Sequence, residues 1–333
     1  MYFLLFYTIG TIIQGTISKI DGRTYSVIIG GNAREVICSL RGRLNHDFRM
    51  KRDKRFALDV AVVGDDVEVL MQQDGSGVIT EVLPRKNFLS RKAAKIKGAG
   101  YRGERLEQII CSNLSKFYII VSVDFPLFNN KTLDRFLVTG EVNKLDTSII
   151  VNKMDLNSGG IMEEFIELYR EIGYEVFPVS TKSKKGLKQL YSSLLGNRSA
   201  FWGNSGVGKS SLLNALFSDL NLVVGDISFS TNKGKHTTVN VSMFSFEEEN
   251  KVTQVIDTPG IREIEPYGVK KEDLGHYFPD FVSFINKCKY NTCTHEHEPG
   301  CAVAEAVENG FIDPMRYDSY LKLLETIESD MFF

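Results

Sequence analysis

Residues 203–210 read Gly-Asn-Ser-Gly-Val-Gly-Lys-Ser, and the rest of the 333-residue chain can be placed around them. They match the pattern G-x-x-x-x-G-K-S, in which glycines let backbone N–H groups turn towards phosphates, the lysine reaches the terminal phosphates and the serine hydroxyl ligates Mg²⁺. An apolar run precedes the motif at 199–202, and a helix-forming run follows it at 211–216. This context favours a phosphate-binding loop over a glycine-rich turn with an incidental lysine. The residues predicted to bind the nucleotide here are Gly203, Asn204, Ser205, Gly206, Val207, Gly208, Lys209, Ser210 and Ser211, with Lys209 also catalytic and Ser210 also a Mg²⁺ ligand.

Ahead of this loop, apolar runs alternate with helix-like stretches. The predicted strands are 117–123, 147–151 and 175–179, and the predicted helices are 131–141 and 162–172. Alternation of β and α segments predicts a mainly parallel sheet covered on both faces. Such a sheet binds its ligand at the carboxyl ends of the strands.

Two short motifs follow strands of this predicted sheet. Asn152-Lys153-Met154-Asp155 comes after 147–151, and Ser180-Thr181-Lys182 comes after 175–179. The form N-K-x-D suits guanine, because a carboxylate at Asp155 can accept hydrogen bonds from both N1–H and the 2-amino group, whereas adenine offers no such pair of donors. A backbone N–H in the second motif can meet the guanine O6. Neither motif carries the assignment alone.

Two further motifs lie beyond the phosphate loop. The loop-like region 226–238 contains Lys233-Gly-Lys235-His236-Thr237-Thr238, where a threonine hydroxyl can ligate Mg²⁺ once a γ-phosphate is present. A predicted strand at 252–256 ends in Asp257-Thr258-Pro259-Gly260. Asp257 can hold Mg²⁺ through water, and Gly260 offers a backbone N–H to the γ-phosphate. Four motifs in compatible contexts predict a GTP-binding domain.

The order of these motifs is unusual. Common GTPases place the phosphate loop first and N-K-x-D fourth, whereas here Asn152 and Ser180 precede Gly203, Thr238 and Asp257. Strands pack by neighbour and the termini of a domain usually lie close together, so the same sheet can form from a circularly permuted chain.

The first part of the chain reads as short β segments, at 15–20, 25–30, 33–40, 65–71 and 77–82. Turn signals at Asp21-Gly22, Gly30-Gly31 and Asp74-Gly75 separate them. This spacing is typical of a small closed barrel such as an OB-fold, and such a barrel commonly binds nucleic acid on one face.

Positive charge is concentrated beside this predicted barrel. Residues 1–110 contain 18 Lys and Arg against 12 Asp and Glu, although the whole chain has a formal net charge of −2. A basic loop at 41–55 interrupts the β segments, and residues 85–105 contain eight basic residues and one acidic residue. A charged loop alone is more often a solvated surface. A cationic, glycine-containing tether next to a barrel favours RNA or DNA as the partner.

The composition, 43% hydrophobic and 25% charged, is that of an ordinary globular protein, and the length predicts two or three domains. Residues 1–13 are apolar but lack a basic start and a cleavage site and are too short to span a bilayer, so no membrane partner is expected. Five cysteines, two of them isolated, do not indicate a disulfide framework and fit a reducing cytoplasm.

Three cysteines and a histidine near the C-terminus are spaced as Cys288-x4-Cys293-x-His295-x5-Cys301. Three thiolates and one imidazole supply a closed tetrahedral set for one structural Zn²⁺, and His297 is a rival fourth ligand. A metal without a vacant position would fold a small domain rather than catalyse. The alternative is three unpaired cysteines. Helix-like segments at 271–286 and 302–332 flank the cluster.

This permuted order of GTPase motifs, with a barrel before it and a cysteine cluster after it, resembles the RsgA (YjeQ/YloQ) family of circularly permuted, ribosome-dependent GTPases. The resemblance covers nearly the whole chain. It implies binding to the small (30S) ribosomal subunit and its rRNA late in maturation, with GTP hydrolysis promoting release. It also favours His295 over His297 as a zinc ligand, because Cys-x-His is the family spacing.

The chain departs from common GTPases at two places. Ile261 follows Asp257-Thr-Pro-Gly260, so the glutamine that many GTPases use to orient water is absent. In the family a histidine of the Gly-x-His-Thr-Thr segment is proposed to help, which implies a catalytic role for His236; the alternative is a structural loop histidine. The family often has a third threonine where this chain has Val239. Thr237 and Thr238 therefore both stay open as Mg²⁺ ligand, with Thr238 favoured for that role and for catalysis.

The sequence predicts a multi-domain protein. Its parts are an all-β OB-like barrel with an N-terminal extension at 1–84, a basic linker at 85–106, an α/β circularly permuted P-loop GTPase domain at 107–268 and a small helical zinc-binding domain at 269–333. The predicted reaction is hydrolysis of the GTP β–γ phosphoanhydride by water with Mg²⁺, carried out by a monomer. One alternative is a nucleotide-gated RNA-binding module with negligible hydrolysis. An ATP-dependent kinase or helicase is disfavoured, because its further motifs are missing and Asn152 and Asp155 argue for guanine.

Overall fold

The structure is a computed structural model that describes residues 10–30, 34–42, 60–93, 107–217, 241–248, 251–258 and 265–327. Most of its strands form a single sheet of eleven, and two more form a separate ribbon. The sheet combines a barrel with an open α/β layer.

The barrel is built from β1 (Ile12–Asp21), β2 (Thr24–Ile29), β3 (Arg34–Leu40), β4 (Asp66–Met71) and β5 (Gly77–Val82). β1 pairs antiparallel with both β2 and β4, and β3 runs parallel to β5, so the strands close in the order β1-β2-β3-β5-β4. Alternate residues of β4 are buried, and Ile17, Val67 and Val69 are fully enclosed. This period of two, with one side chain in and the next out, is what a closed β-barrel requires. The predicted OB-like barrel is confirmed.

The open layer is an α/β unit. Its strands are β8 (Lys116–Ser122), β9 (Thr147–Asn152), β10 (Glu175–Pro178), β11 (Arg198–Gly203), β12 (Ser242–Glu248) and β13 (Lys251–Asp257), and its helices are α1 (Asn130–Val142), α2 (Ile161–Ile172), α3 (Leu187–Leu194) and α4 (Lys209–Leu216). The strand order is β10-β9-β8-β11-β13-β12, with β12 antiparallel to β13 and the other neighbours parallel.

The strand that leads into the phosphate loop lies inside this layer. β11 pairs with β8 on one side and β13 on the other. Strands that come earlier in the chain therefore flank it on one side, and strands that come later flank it on the other. The circularly permuted P-loop fold predicted from the motif order is confirmed.

Both faces of the α/β sheet are covered. On β8, Phe117 and Ile119 belong to the core that contains α1 and α2 residues, whereas Tyr118 and Ile120 belong to the core that contains α3 and α4 residues. Adjacent residues of one strand point to opposite faces, so a strand that is apolar throughout must be buried on both sides. This explains why β8 reads as a continuous apolar run rather than as an alternation.

The C-terminal part contains a 3₁₀ turn (Leu274–Tyr277) and the helices α5 (Val282–Ile285), α6 (Ala302–Glu308) and α7 (Pro314–Thr326). Its core is separate from that of the barrel but includes Val138 of α1, which packs it onto the α/β unit. The helix-like segments predicted at 271–286 and 302–332 each contain helical turns, although residues 328–332 lie outside the described residues. Gly310 has a φ of 74°, and Pro314 begins α7 behind an Asp313 cap, so the second segment is divided into two helices.

The predicted basic linker also differs from the structure. Residues 88–92 form a strand, β6 (Phe88–Lys92), which pairs antiparallel with β7 (Glu107–Ser112). Arg85 donates two hydrogen bonds to the buried Asp65 carboxylate, at 2.6 and 2.7 Å. The described part of the tether is thus ordered against the barrel and the α/β unit, and residues 94–106 lie outside the described residues. The domain boundaries themselves stay a prediction.

No helix in the described ranges combines the length and the apolar character that are needed to cross a bilayer.

Candidate nucleotide site and metal cluster

The phosphate loop joins the end of β11 to the start of α4. Gly206 and Gly208 have φ values of 84° and 91°, a left-handed region that side chains disfavour. A Cβ on Gly208 would lie 2.5 Å from the Asn152 Nδ2, and a Cβ on Gly203 would lie 2.6 Å from the carbonyl oxygen of Ile120. The glycines therefore allow a tight backbone loop in front of the N-terminus of α4, where free N–H groups bind phosphate. Asn204 and Ser205 lie within this loop, and Ser210 and Ser211 lie in the first turn of α4.

Asn152 joins the N-K-x-D motif to the phosphate loop. Its side chain is fully buried, and its Nδ2 donates to the carbonyl oxygen of Val207 at 2.9 Å. Its Oδ1 has no hydrogen-bond partner among the described residues. A buried carbonyl oxygen without a donor is costly, so this atom faces a place where a ligand or water is expected.

Lys153 ties the same loop to the end of β8. It takes a left-handed conformation with φ 61°, and its ammonium group donates to the carbonyl oxygens of Asp124, Phe125 and Gly206. One side chain thus fixes two loops at the carboxyl ends of neighbouring strands. The part played by residues 124 and 125 has no signature in the sequence, because their carbonyls are backbone groups that any residue carries.

Asp155 is the carboxylate predicted to read guanine. The Ser180 hydroxyl donates to its Oδ1 at 2.5 Å, and the Lys182 ammonium lies 3.9 Å from its Oδ2. Ser180 is fully buried and also accepts from the N–H of Ser183, which fixes its hydroxyl. The two predicted motifs, including Thr181 beside Ser180, therefore lie together at one end of the sheet, and the serine orients the carboxylate.

Lys209, the first residue of α4, lies beside Asp257, the last residue of β13. The Lys209 ammonium is 2.7 Å from the Asp257 Oδ1 and donates to the Thr258 carbonyl oxygen at 2.9 Å. The Thr258 hydroxyl donates to the carbonyl oxygen of Phe201 in β11 at 2.7 Å. The structure thus brings the phosphate-loop lysine and the predicted Mg²⁺ ligand together. Thr258, whose hydroxyl holds the two strand ends in register, is a residue that the sequence reasoning did not single out.

Several predicted site residues fall outside the described residues. They are His236, Thr237, Thr238, Gly260 and Ile261. Their roles stay predictions.

A second constellation lies in the C-terminal part. The ligand atoms of Cys288, Cys293, His295 and Cys301 all lie within 4.8 Å of one another. The His295 Nδ1 is 3.5 Å from the sulfur atoms of Cys288 and Cys301. A tetrahedral ion with Zn–S of about 2.3 Å and Zn–N of about 2.05 Å requires an N···S separation of about 3.6 Å. The cluster therefore has the donor set and the spacing that zinc takes, whereas the exposed His297 is not part of it.

Burial has opposite effects on the pKa values of the two kinds of ligand. It raises the pKa of the Cys293 thiol to about 12, and it lowers the pKa of His295, so the imidazole is neutral at pH 7. A nearby cation would favour the thiolate that burial disfavours.

The loop around the cluster is fixed by side chains from outside it. The Tyr317 hydroxyl donates to the carbonyl oxygen of His295 at 2.7 Å, and the Tyr320 hydroxyl donates to that of Thr294 at 2.6 Å. Glu298 accepts from the N–H and the hydroxyl of Thr294, both at 2.7 Å. Burial raises the pKa of Glu298, but the Thr294 bonds outweigh it and bring the pKa down to about 2. The ligands are thus held by an outer layer of hydrogen bonds.

The fold and the two constellations define a class: a circularly permuted P-loop GTPase with an OB-like barrel before it and a Cys₃His cluster after it. The family model described as RsgA GTPase matches residues 82–266. Together with the relatives described next, this match shows that the chain belongs to the RsgA GTPase family.

Relatives match over nearly the full length. The small ribosomal subunit biogenesis GTPase RsgA 2 of Bacteroides thetaiotaomicron is 34% identical over 322 residues, which cover 96% of this chain and 98% of that protein. The small ribosomal subunit biogenesis GTPase RsgA of Chlorobaculum parvum is 35% identical over 320 residues, which cover 95% of this chain and 98% of that protein. Among solved structures, YjeQ from Thermotoga maritima has a TM-score of 0.71 at 30% identity and 95% coverage of this chain and 98% of that chain. YloQ, described as a circularly permuted GTPase, has a TM-score of 0.66 at 29% identity, with 95% of this chain and 94% of that chain covered.

Proposed function

We propose that this GTPase acts on the small ribosomal subunit late in its maturation and that GTP hydrolysis promotes its release. The observation that carries the GTPase site is the bond from Asn152 to Val207, because it joins the guanine motif to the phosphate loop across the permuted order. The small-subunit role is supported by the near-complete coverage of relatives named as small ribosomal subunit biogenesis GTPases.

Guanine recognition falls to the loops after β9 and β10. Asp155, oriented by Ser180, accepts hydrogen bonds from the two donors of guanine. Asn152 holds the phosphate loop next to this motif through its hydrogen bond to Val207. Lys153 fixes the floor of this pocket through backbone carbonyls, and a backbone N–H near Thr181 and Lys182 meets the guanine O6. Adenine would place an acceptor where guanine has a donor, so the oriented carboxylate discriminates against it.

Phosphate binding falls to the loop 203–211 and to Lys209. In the structure Lys209 is paired with Asp257, so GTP binding exchanges this partner for the terminal phosphates. Ser210 and Asp257 would hold Mg²⁺, together with Thr238 as the predicted third ligand. Ser210 and Asp257 fit this ion, because a hydroxyl and a carboxylate provide the oxygen ligands that Mg²⁺ prefers. Mg²⁺, when bound, neutralises charge on the β- and γ-phosphates.

Hydrolysis is the attack of water on the γ-phosphorus, with GDP as the leaving group. Lys209 neutralises charge that develops on the leaving oxygens, and Gly260 donates its backbone N–H to the γ-phosphate. His236 positions the water in this proposal, because Ile261 carries no group that can do so.

The Cys₃His cluster holds one structural Zn²⁺ in our proposal. All four donors are protein atoms, so no position is left for a substrate, and the ion stabilises the small C-terminal fold. The barrel and the basic stretch at 85–105 contact rRNA, which assigns the protein to the cytoplasm, where ribosomal subunits mature. The monomeric state stays a prediction.

Co-sedimentation tests the small-subunit role. The full chain should pellet with purified small subunits in the presence of a non-hydrolysable GTP analogue and stay in the supernatant with GDP. The Asp155→Asn variant should stay in the supernatant with either guanine nucleotide. Pelleting that ignores the nucleotide, or none in any state, would refute the proposed cycle.

A further inference from the structure

Four exposed lysines follow one another closely in the loop after β10 and in the first turn of α3. They are Lys182, Lys184, Lys185 and Lys188. We infer that the last three, which form a lysine patch, bind the phosphate backbone of double-helical RNA. The inference rests on the proposed function and deepens it, because it names an rRNA contact outside the barrel and the basic stretch at 85–105.

The lysine patch lies in a part of the chain that has no acidic side chains. Residues 176–217 contain six basic residues and no aspartate or glutamate. Of these six, Arg198 and Lys209 pair with aspartates, and Lys182 lies 3.9 Å from Asp155. The ammonium groups of the three patch lysines have no ion-pair partner within 4 Å among the described residues. Positive charge that is not compensated in this way favours an anionic partner.

Lys188 stands where a helix disfavours a cation. It is the second residue of α3, whose first turn contains no acidic residue and whose Gly186 cap supplies no side-chain hydrogen bond. The N-terminus of a helix carries partial positive charge, so a lysine there opposes the helix dipole and lowers stability. Residues that break a local rule of stability are expected where function requires them. The helix dipole also adds to the positive charge of the patch.

The backbone that carries the patch is fixed. The Ser180 N–H donates to the carbonyl oxygen of Lys185 at 3.0 Å, and the Ser183 N–H donates to the Ser180 hydroxyl, also at 3.0 Å. Gly186 has a φ of 75°, and a Cβ there would lie 2.2 Å from the carbonyl oxygen of Pro178. The loop is therefore closed tightly against the end of β10. A preformed loop loses little conformational freedom on binding.

The chemistry of this surface favours a phosphate backbone over a protein. Among the described residues between 162 and 251, no large apolar side chain is exposed. Protein interfaces have an apolar or aromatic core, and the bases of single-stranded RNA stack on aromatic rings. The lysine patch offers neither feature. Ammonium groups alone suit the phosphates of a duplex, which can be contacted while the bases stay paired and stacked.

The lysine patch borders the proposed guanine pocket. Ser180 donates its N–H to the carbonyl oxygen of Lys185 and its hydroxyl to Asp155 Oδ1. One residue thus helps to close the loop that carries the patch and also orients the carboxylate. An RNA duplex on the patch would therefore lie beside the nucleotide site, at a place separate from the barrel.

Binding measurements on the full chain test the patch. The probes are a fluorescein-labelled RNA stem-loop and purified small subunits, each titrated over a range of salt concentrations. Lys184→Gln/Lys188→Gln should weaken binding of both probes and make the slope of log affinity against log salt shallower by about 0.9 for each lost phosphate contact with a duplex. Lys184→Arg/Lys188→Arg should keep the wild-type slope, because arginine preserves both charges.

Lys144→Gln/Lys251→Gln is the matched control. Both lysines are exposed and lack ion-pair partners among the described residues, and Lys144 shares a left-handed backbone with Lys184, at φ values of 53° and 60°. Lys144 precedes β9 and Lys251 begins β13, so both lie at the edge of the parallel strands opposite to the patch. The control should keep the wild-type slope. Equal thermal unfolding and equal GTP affinity without RNA show that each variant is folded.

Each outcome decides something different. A shallower slope for both probes in the patch variant alone supports the lysine patch. An unchanged slope in that variant, or an equal change in the control, overturns it. Weaker binding to small subunits with unchanged binding to the stem-loop also overturns it, because the partner would then be an acidic protein. A wild type that does not bind small subunits refutes the proposed function, while the stem-loop measurements still decide the patch.

Discussion

At the scale of single residues, the proposed guanine pocket depends on how the Asp155 carboxylate is held. The Ser180 hydroxyl donates to Asp155 Oδ1 at 2.5 Å, which leaves the remaining lone pairs of the carboxylate for a ligand. A short bond to an ionised acceptor is stronger than a neutral hydrogen bond. The bond from Ser180 thus orients Asp155 for the proposed contact with guanine.

Replacing Asp155 by asparagine tests that assignment. Asp155→Asn should weaken GTP binding by about 2–4 kcal/mol, because two charge-assisted hydrogen bonds are lost, and should favour xanthine nucleotides, whose base presents an acceptor to the new amide. Nucleotide titrations with GTP, XTP and ATP measure this. Equal affinity of the wild type for ATP and GTP would contradict the assignment.

The residues that form the motifs were predictable from the sequence, but the hydrogen bonds that these residues make were not. The pattern of 203–210 and the spacing of Asn152 and Asp155 in the N-K-x-D motif were evident from the sequence. The chemistry of phosphate and guanine binding restricts which residues can stand at those positions. The contacts of Lys153 with backbone carbonyls were not predictable, since a carbonyl has no signature in the sequence. The Ser180–Asp155 hydrogen bond was not predictable either, because it forms between two loops that come together only in the folded structure.

At the scale of elements, a buried ion cluster joins α7 to α1. Arg316 is 2% exposed, and its guanidinium pairs with Asp134 of α1 and donates to both oxygens of Asp280, at 3.1 and 2.7 Å. Tyr169 of α2 donates to Asp134 at 2.8 Å. Burial alone would lower the pKa of Arg316, but the two carboxylates raise it well above its usual value. The arginine stays charged, and the C-terminal part is fastened to the α/β unit.

Removing the arginine tests this joint. Arg316→Met should lower the free energy of unfolding by about 3–5 kcal/mol, because two carboxylates remain buried without a cation. Urea unfolding measures the loss, and Arg170→Met on the exposed face of α2 should change it by less than about 1 kcal/mol. Adding Asp134→Asn to the methionine variant should recover part of the loss. Equal effects at Arg316 and Arg170 would show that the cluster is not a joint.

The metal cluster gives a second prediction at this scale. One zinc per chain is expected, and Cys293→Ala should lose it and loosen α6 and α7, because a structural ion supplies folding free energy. Metal analysis and hydrogen exchange of the C-terminal segment measure this, while GTP affinity should stay within about twofold. Protein purified without chelators that contains no zinc would contradict the assignment.

Strands were predicted more accurately than C-terminal helices. Barrel strands show alternating apolar residues, and the strands around the phosphate loop are apolar runs. Both patterns are typical of strands, and the predicted bounds differ from those in the structure by only a few residues. The segments 271–286 and 302–332 were predicted only as helix-like, without the positions at which their helices begin and end. In the structure Pro279, Gly310 and Pro314 lie between shorter helices, whose buried residues share the C-terminal core. The β6–β7 ribbon was missed because its basic residues read as a solvated tether.

At the scale of the whole molecule, Arg198 is one of the residues that join the barrel to the nucleotide domain. Arg198, the first residue of β11, donates to the carbonyl oxygen of Gly64 at 2.7 Å and to Gln254 at 2.6 Å, and lies 3.2 Å from Asp66. β1 also meets β12 through the pairing of Lys19 with Ser242. The barrel thus holds the strand that enters the phosphate loop, a connection that no sequence pattern predicted.

Arg198→Lys tests this connection. A lysine keeps the charge but cannot make the forked set of bonds, so the free energy of unfolding should fall by about 1–3 kcal/mol. Arg170→Lys is the control and should change it by less than about 0.5 kcal/mol. Urea unfolding, monitored by the fluorescence of Trp202, which is buried in the α/β unit, measures the free energy of unfolding of both variants. Equal stability of the two variants would contradict the connection.

The same contacts make a truncated fragment unsuitable for testing what the barrel does. A fragment that begins at Glu107 lacks β6, the partner of β7, and lacks the barrel groups that Arg198 binds. Such a fragment would lose stability for reasons unrelated to RNA. Variants of the intact chain avoid this, because they leave every strand in place.

The most direct test of the account is GTP turnover by the full chain with and without purified small subunits. Turnover alone should be slow, because Ile261 cannot orient the attacking water, and small subunits should accelerate it by orders of magnitude. Raising the salt concentration should reduce this acceleration, since contacts with RNA phosphates release counterions. Turnover that is the same with and without small subunits at every salt concentration would contradict the account.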